Sequence, residues 1–269
     1  MPELPEVENV RRCLEPTLLG VRILRVVEHF PGVLIPGEGE PRKFFPSRVT
    51  CLDRHGKYLQ IRLEKGRQLV VHFRMTGCFY FHAPSDLLHP HTHVEFALAS
   101  GVALAYRDPR RFGRLWLIDG TDSPPTSGLG PDALTISEEE FLDRIGTRNR
   151  MIKPLLMDQG VLAGIGNIYA DESLFQAGIH PQTSTHRLRK SRLSDLWRAM
   201  KSILECAIEK GGSSISDYVS PEGIAGSYQN EHGVYDREGK PCPHCGTPIR
   251  RIVVAQRGTH FCPRCQKRR

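Results

Sequence analysis

The 269-residue chain has no apolar run approaching the length of a membrane span. Its N-terminus lacks the basic segment followed by an apolar one that marks a secretory signal, so the expectation is a protein that stays in the cytosol. There is no internal repeat and no low-complexity tract, which sets aside solenoid architectures. Acid is missing from the C-terminal end: Lys240 to Arg269 holds eight Lys or Arg and no Asp or Glu. Over the whole chain 37 Lys and Arg face 30 Asp and Glu, a net charge of +7. That balance points to a polyanionic partner, nucleic acid first and an acidic membrane second, although a basic end can also be only a solubilising tail. The apolar fraction of 39% supports a real core, and the length allows one large domain or two ordinary ones.

The eight cysteines fall into two groups. Cys13, Cys51, Cys78 and Cys206 are scattered among apolar neighbours and read as reduced core residues. Cys242-Pro-His-Cys245 and Cys262-Pro-Arg-Cys265 are two knuckles separated by sixteen residues. Four thiolates at this spacing match one structural zinc ion in a tetrahedral site with no open position for catalysis. Two disulfides are the alternative, disfavoured by a reducing compartment. The run Arg250–Phe261 between the knuckles reads as a β-hairpin carrying Arg250, Arg251 and Arg257.

The chain begins Met1-Pro2-Glu3-Leu4-Pro5-Glu6-Val7-Glu8. Removal of Met1, which a small following residue permits, leaves Pro2 as a terminal secondary amine. That is a nucleophile no internal proline can supply, and carboxyl groups close by can pass protons. The plainer reading is a good helix start, with proline in the first turn and acids near the positive end of the dipole. Val7, Val10, Leu14 and Leu18 mark one face of that helix, and Gly20 ends it.

Eight short apolar or alternating runs follow between Arg22 and Ile118, punctuated by turn residues, and they read as an antiparallel sandwich or barrel. Asp119–Pro131 is rich in Gly, Pro, Ser and Thr and reads as a linker. The period then becomes helical. Ser137 and Glu140 form a capping-box pattern, Arg150–Gln159 and Asn167–Ala177 read as short helices, and His186–Lys210 as a long one. The resulting expectation is an α+β chain. Residues 1–119 form an N-terminal β-sandwich with a helix, 120–136 a linker, 137–233 a helical domain and 234–269 a zinc finger.

Several stretches carry chemistry with a plainer alternative beside it. Gly164-Ile-Gly-Asn167 leaves backbone N–H groups at a helix start, which suits a phosphate, or is an ordinary connector. Lys57, at the entry to a strand, reads as a solvated edge charge. Met75 at a strand end is a possible wedge into a base stack, or core. Arg110-Arg-Phe112 interleaves cations with an aromatic, as a nucleic-acid surface needs, or is a hairpin turn bridged by Asp108.

Taken in order, these stretches resemble the formamidopyrimidine-DNA glycosylase family, bacterial enzymes that excise oxidised purines. The resemblance covers nearly the whole chain. It is carried by Pro2-Glu-Leu-Pro-Glu6, Gly56-Lys57-Tyr58-Leu59, His72-Phe-Arg-Met75-Thr-Gly77 and Asp108-Pro-Arg-Arg-Phe-Gly113. Further along it is carried by Gly164-Ile-Gly-Asn167-Ile-Tyr-Ala, Gly178-Ile-His-Pro181 and Ala255-Gln-Arg257. It implies a catalytic domain and a DNA-binding domain with a helix-two-turn-helix motif and zinc finger. It also implies a target of double-stranded DNA containing an oxidised base and an enzyme that works as a monomer.

The resemblance further implies that Pro2 attacks C1′ of a flipped nucleotide. Glu3 is then the acid/base, and Lys57 and Arg257 act during strand elimination. Glu6 positions the N-terminus, and Met75, Arg110 and Phe112 fill the gap beside the orphan base. His91, Arg150 and Asn167 hold phosphates, and Ser213–Gly226 matches a lesion-capping loop. The related endonuclease VIII enzymes typically begin Pro-Glu-Gly-Pro and lack the filling set, so Leu4 and the three fillers favour purine lesions. Phe30–Ser47 aligns with no motif and has no assigned role. A non-catalytic DNA-binding protein and a zinc-dependent nuclease are the competing readings.

Overall fold

The computed structural model describes residues 2–37, 41–120, 122–214 and 219–268. They form two compact units, Met1–Ser127 with Lys210–Ser227, and Gly128–Glu209 with Tyr228–Arg269. The division falls within the expected linker. Lys210–Ser227, expected with the helical domain, groups with the first unit, where the Ser213 N–H donates to Glu6 Oε1 at 2.8 Å.

The first unit opens with α1 (Leu4–Leu18), whose N-terminus is closed by a capping box between Glu3 and Glu6. The Glu3 N–H donates to Glu6 Oε2 at 2.8 Å, satisfying a backbone donor that the helix leaves open. Val7, Val10, Leu14 and Leu18 recur at three- and four-residue intervals and are all buried. Among the described residues nine strands follow: β1 (Arg22–Glu28), β2 (Leu34–Pro36), β3 (Ser47–His55), β4 (Tyr58–Leu63), β5 (Gln68–His72), β6 (Cys78–His82), β7 (Thr92–Leu98), β8 (Ala103–Arg107) and β9 (Arg114–Ile118). Their order is β2-β9-β5-β4-β3-β1-β7-β8-β6.

The only register shared by β1 and β3 is Arg22 with Arg48 and Ile23 with Ser47, so the sheet divides there into two halves. Leu52, Ile61 and Leu115 of one half enter the same core as Phe79, Phe96 and Tyr106 of the other, with the apolar face of α1 beside them. The result is the expected sandwich with two departures. β2 lies in the stretch given no role, and its pairing with β9 is parallel rather than antiparallel.

The second unit contains α2 (Glu138–Gly146), α3 (Ile152–Leu156), α4 (Asn167–Gln176), α5 (Lys190–Glu209) and the hairpin β10 (Arg250–Val254) with β11 (Arg257–Phe261). Half of the expected capping box forms at α2. Ser137 Oγ accepts from the Glu140 N–H at 3.2 Å, but the Glu140 carboxylate turns to Arg144 Nε at 3.0 Å. α5 buries Leu193, Leu196, Met200, Leu204 and Ala207 on one stripe. α4 is buried along nearly its whole length and packs against α5, α3 and β11. The helix expected over Arg150–Gln159 is confined to Ile152–Leu156, because Asp158 and Gln159 spend their side chains on loop backbone. Asp158 Oδ1 accepts from the Gly160 N–H, and Gln159 binds the N–H of Gly164 and the carbonyls of Met157 and Ile165.

Candidate active site and metal centre

In the first unit Pro2, Glu3 and Glu6 are buried at the head of α1, and Glu6 is the junction. One of its carboxylate oxygens takes the Glu3 N–H and the other takes the Ser213 N–H. Gly212, at φ +83°, gives the carboxylate room: a Cβ there would lie 2.8 Å from Glu6 Oε1. The start of the expected capping loop is thereby tied to the helix that carries Pro2, while residues 215–218 of that loop lie outside the described residues.

α1 packs on β3 and β4, the hairpin whose two-residue turn is Gly56-Lys57. Gly56 has φ +57°, the left-handed region that glycine enters without a Cβ penalty. Lys57 is buried rather than a solvated edge charge. Beside it stands His72, the last residue of β5. Its Nδ1 accepts from the Arg74 N–H at 3.1 Å, so that nitrogen carries no proton. Burial pushes the His72 pKa down to about 3, and the charges of Arg74 and Lys57 push the same way. A neutral imidazole next to a buried lysine adds no third positive charge.

Met75, 40% exposed, and Phe112, 50% exposed, project from two loops. The Arg110 guanidinium lies 4.9 Å from the Phe112 ring centroid, a cation–π contact. Asp108, fully buried, holds both loops. Its carboxylate accepts from the Arg110 N–H at 3.2 Å, from the Gly113 N–H at 2.7 Å and from the Thr76 hydroxyl. Its partners in this turn are thus backbone groups and a hydroxyl, not the neighbouring arginines. Its carbonyl faces His93 Nε2 at 2.8 Å, and its own N–H donates to the carbonyl of His91, an exposed residue at φ +65°. Gly77 and Gly113 are required by packing, since a Cβ would lie 2.1 Å and 1.7 Å from Tyr106 Oη.

In the second unit Asn167 is the first residue of α4, with Gly166 as the N-cap. The Asn167 amide donates to the Gly258 carbonyl at 2.9 Å, so it braces the hairpin instead of capping its helix. Lys153 Nζ reaches the same carbonyl at 3.2 Å and Thr259 Oγ1 at 2.7 Å, and it pairs with buried Asp171 at 2.7 Å. Arg257 follows the hairpin tip, where Ala255 and Gln256 have φ +46° and +62°. Arg150 pairs on the surface with Asp158 at 2.7 Å.

The sulfurs of Cys242, Cys245, Cys262 and Cys265 all lie within 4.8 Å of one another. Three of the separations are 3.9, 3.5 and 3.5 Å. Zinc–sulfur bonds of about 2.3 Å in a tetrahedron require sulfurs about 3.8 Å apart, so the donor set fits. The other four cysteines are half-buried thiols, which corrects their reading as core residues.

Three family models match in sequence order. Residues 1–115 match the formamidopyrimidine-DNA glycosylase N-terminal domain, and 128–219 match its H2TH domain. Residues 239–268 match the zinc finger found in FPG and IleRS. The formamidopyrimidine-DNA glycosylase of Solibacter usitatus is 43% identical, with 100% of each chain covered. The chain belongs to the formamidopyrimidine-DNA glycosylase family. It is therefore a DNA glycosylase of base excision repair, and the four cysteines form its single structural zinc site.

The solved structures agree with that membership. The Thermus thermophilus family member superposes with a TM-score of 0.88 at 41% identity, covering 100% of both chains. A Lactococcus lactis mutant in complex with DNA containing Fapy-dG superposes with a TM-score of 0.91 at 36% identity, covering 99% of this chain and 100% of that one. In this glycosylase, the sequence offered Asp108 only as a salt-bridging residue of a turn and assigned no role to His72, Lys153, Asp171 or Glu172. Glu172, buried in α4, accepts the N–H groups of Gly233, Val234 and Tyr235 at 2.7–3.0 Å, fastening the chain that enters the finger. Nothing in a sequence separates such a buried hub from a surface carboxylate.

Proposed function

We propose that the chain is a bifunctional DNA glycosylase and AP lyase that removes oxidised purines, 8-oxoguanine and formamidopyrimidines, from duplex DNA. The amine of Pro2, with Met1 removed, attacks C1′ of a flipped nucleotide. The N-glycosidic bond breaks and the base leaves with a proton, giving a Schiff base between Pro2 and the opened sugar. Glu3 moves the proton at the sugar-ring oxygen, and Glu6 keeps the head of α1 in place. Lys57 and Arg257 serve the successive β- and δ-eliminations that cut the strand on both sides. Met75, Arg110 and Phe112 fill the gap, and His91, Arg150 and Asn167 take phosphates.

The reading rests above all on the head of α1. Pro2 and two carboxylates are buried together there, in a chain whose net charge of +7 suits a polyanion. The pairing of Arg110 with Phe112, and an exposed Met75, support purine lesions over pyrimidine ones. The sandwich at 1–119, the helical domain at 137–233 and the finger at 234–269 act as parts of one monomeric enzyme working in the cytoplasm on the nucleoid. No helix among the described residues is long and apolar enough to cross a membrane.

Borohydride reduction on an 8-oxoguanine duplex tests the chemistry. The expected result is one covalent adduct, mapped to residue 2, that is lost in Pro2→Gly and in protein retaining Met1, with duplex binding kept. Base release without any trapped adduct would show a hydrolytic glycosylase and overturn the Schiff-base step.

A further inference from the structure

The side chain of Arg54, in β3, is only 4% exposed, and two of its contacts bear on the candidate site. Its Nε donates to Glu8 Oε2 at 3.2 Å, and its Nη1 donates to the Gly56 carbonyl at 3.0 Å. Glu8 belongs to α1, the helix headed by Pro2. Gly56 is the first residue of the turn that ends in Lys57, closed by the pair His55 and Tyr58. The Gly56 carbonyl and the Lys57 nitrogen belong to one planar peptide unit. A guanidinium holding that oxygen therefore fixes the plane from which the Lys57 backbone departs. Glycine at φ +57° has no Cβ to restrain the same plane by sterics.

Glu8 is well anchored. It also accepts from Arg11 Nη2 at 3.0 Å and Arg12 Nε at 2.9 Å. Burial alone would raise its pKa, but the hydrogen bonds from Arg11 and Arg12, with the charges of Arg11 and Arg54, leave it lowered and the group ionised. A planar fork suits two acceptors in different directions, which an ammonium at the end of a flexible stem does not match. We propose that Arg54 is a positioning residue of the reaction: braced on Glu8, it clamps the Gly56–Lys57 peptide and so aims Lys57 relative to the helix that carries the nucleophile. The proposal rests on the reading of Lys57 as a reacting group.

A double-mutant cycle separates this from a merely structural role. Single-turnover strand cleavage of an 8-oxoguanine duplex is measured for the wild type, Arg54→Met, Lys57→Ala and the double variant, each with its melting temperature. Arg54→Met is expected to slow cleavage about tenfold or more in the wild-type background and to cost nothing further once Lys57 is alanine. Its effect on melting temperature should be the same in both backgrounds. Equal slowing in both backgrounds, or an Arg54→Met rate at the wild-type level, overturns the positioning role. A wild-type rate for Lys57→Ala overturns the reading of Lys57 itself, and the proposal with it. Arg54→Lys, which keeps the charge but not the fork, repeats the cycle should the methionine variant fail to fold, with the same outcomes deciding.

Discussion

His72 should make this enzyme acid-sensitive. The imidazole is 7% exposed, makes an edge contact with Tyr58 at 4.6 Å between ring centroids, and accepts the Arg74 N–H on Nδ1. Burial, then Arg74, then Lys57 depress its pKa from 6.5 to about 3. A group depressed in the folded state contributes stability that is fully present above its unfolded pKa and is lost as pH falls toward the folded one. The window therefore runs from 6.5 down to about 3. At about pH 4.5 the unfolded chain has bound a proton that the folded chain has not. About two pH units at about 1.4 kcal/mol each give roughly 3 kcal/mol. The test is urea unfolding at about pH 7 and about pH 4.5 for the wild type and His72→Asn, whose amide oxygen can accept the same N–H without titrating. Carboxylates contribute to both proteins, so the difference of differences isolates the imidazole. The wild type should lose about 3 kcal/mol more than the variant over this interval. Parallel losses, or a proton resonance of His72 titrating near its ordinary value in the folded protein, would refute the argument.

Gly113→Ala should destabilise the protein by about 1–3 kcal/mol in urea titration, because its Cβ would lie 1.7 Å from Tyr106 Oη in a closed core. Tyr106→Phe in the same protein should restore part of that loss. Cys242→Ala should abolish zinc content and duplex affinity together, since so small a module folds only around its metal. A variant that keeps both would sink the structural-zinc account of DNA binding. Ala255→Gly should stabilise the finger by about 1 kcal/mol, read as slower zinc loss to a chelator, because the residue stands at φ +46°.

What the sequence makes legible is periodicity. The eight runs expected between Arg22 and Ile118 are all strands, β1 and β3 to β9, and the long helix expected over His186–Lys210 forms as α5, starting at Lys190. β2 escapes because three residues pairing in parallel within a Pro- and Gly-rich stretch carry no period at all. The zinc site is legible because four like ligands at fixed spacing have few other uses. Asn167 is harder. Its position at the start of α4 follows from the glycine turn, but its bond to the Gly258 carbonyl spans 91 residues and leaves no local trace. The same holds for Asp108, whose neighbours read as a charged hairpin while its carboxylate in fact serves backbone.

These hidden contacts share a logic. The DNA-facing candidates Met75, Arg110, Phe112 and Arg257 sit on loops or a hairpin tip, where apolar burial cannot hold them. Each is instead held by a buried polar group, Asp108 for the first three and the Lys153–Asp171 pair with Asn167 for the hairpin of Arg257. Desolvating such groups is costly and is offset only when their lone pairs and protons are nearly all used. Replacing one by its neutral isostere should therefore act twice, weakening the fold modestly and loosening one functional loop strongly. Asp108→Asn is the clearest case. Its amide NH2 can no longer accept whichever donor it meets, either the Gly113 N–H or the pair formed by Thr76 and Arg110. Protection of the amides at Gly77, Arg110 and Gly113 against hydrogen exchange should fall while that of β5 and β9 holds. Uniform loss of protection across the sandwich would mean that Asp108 supports the fold as a whole rather than the two loops.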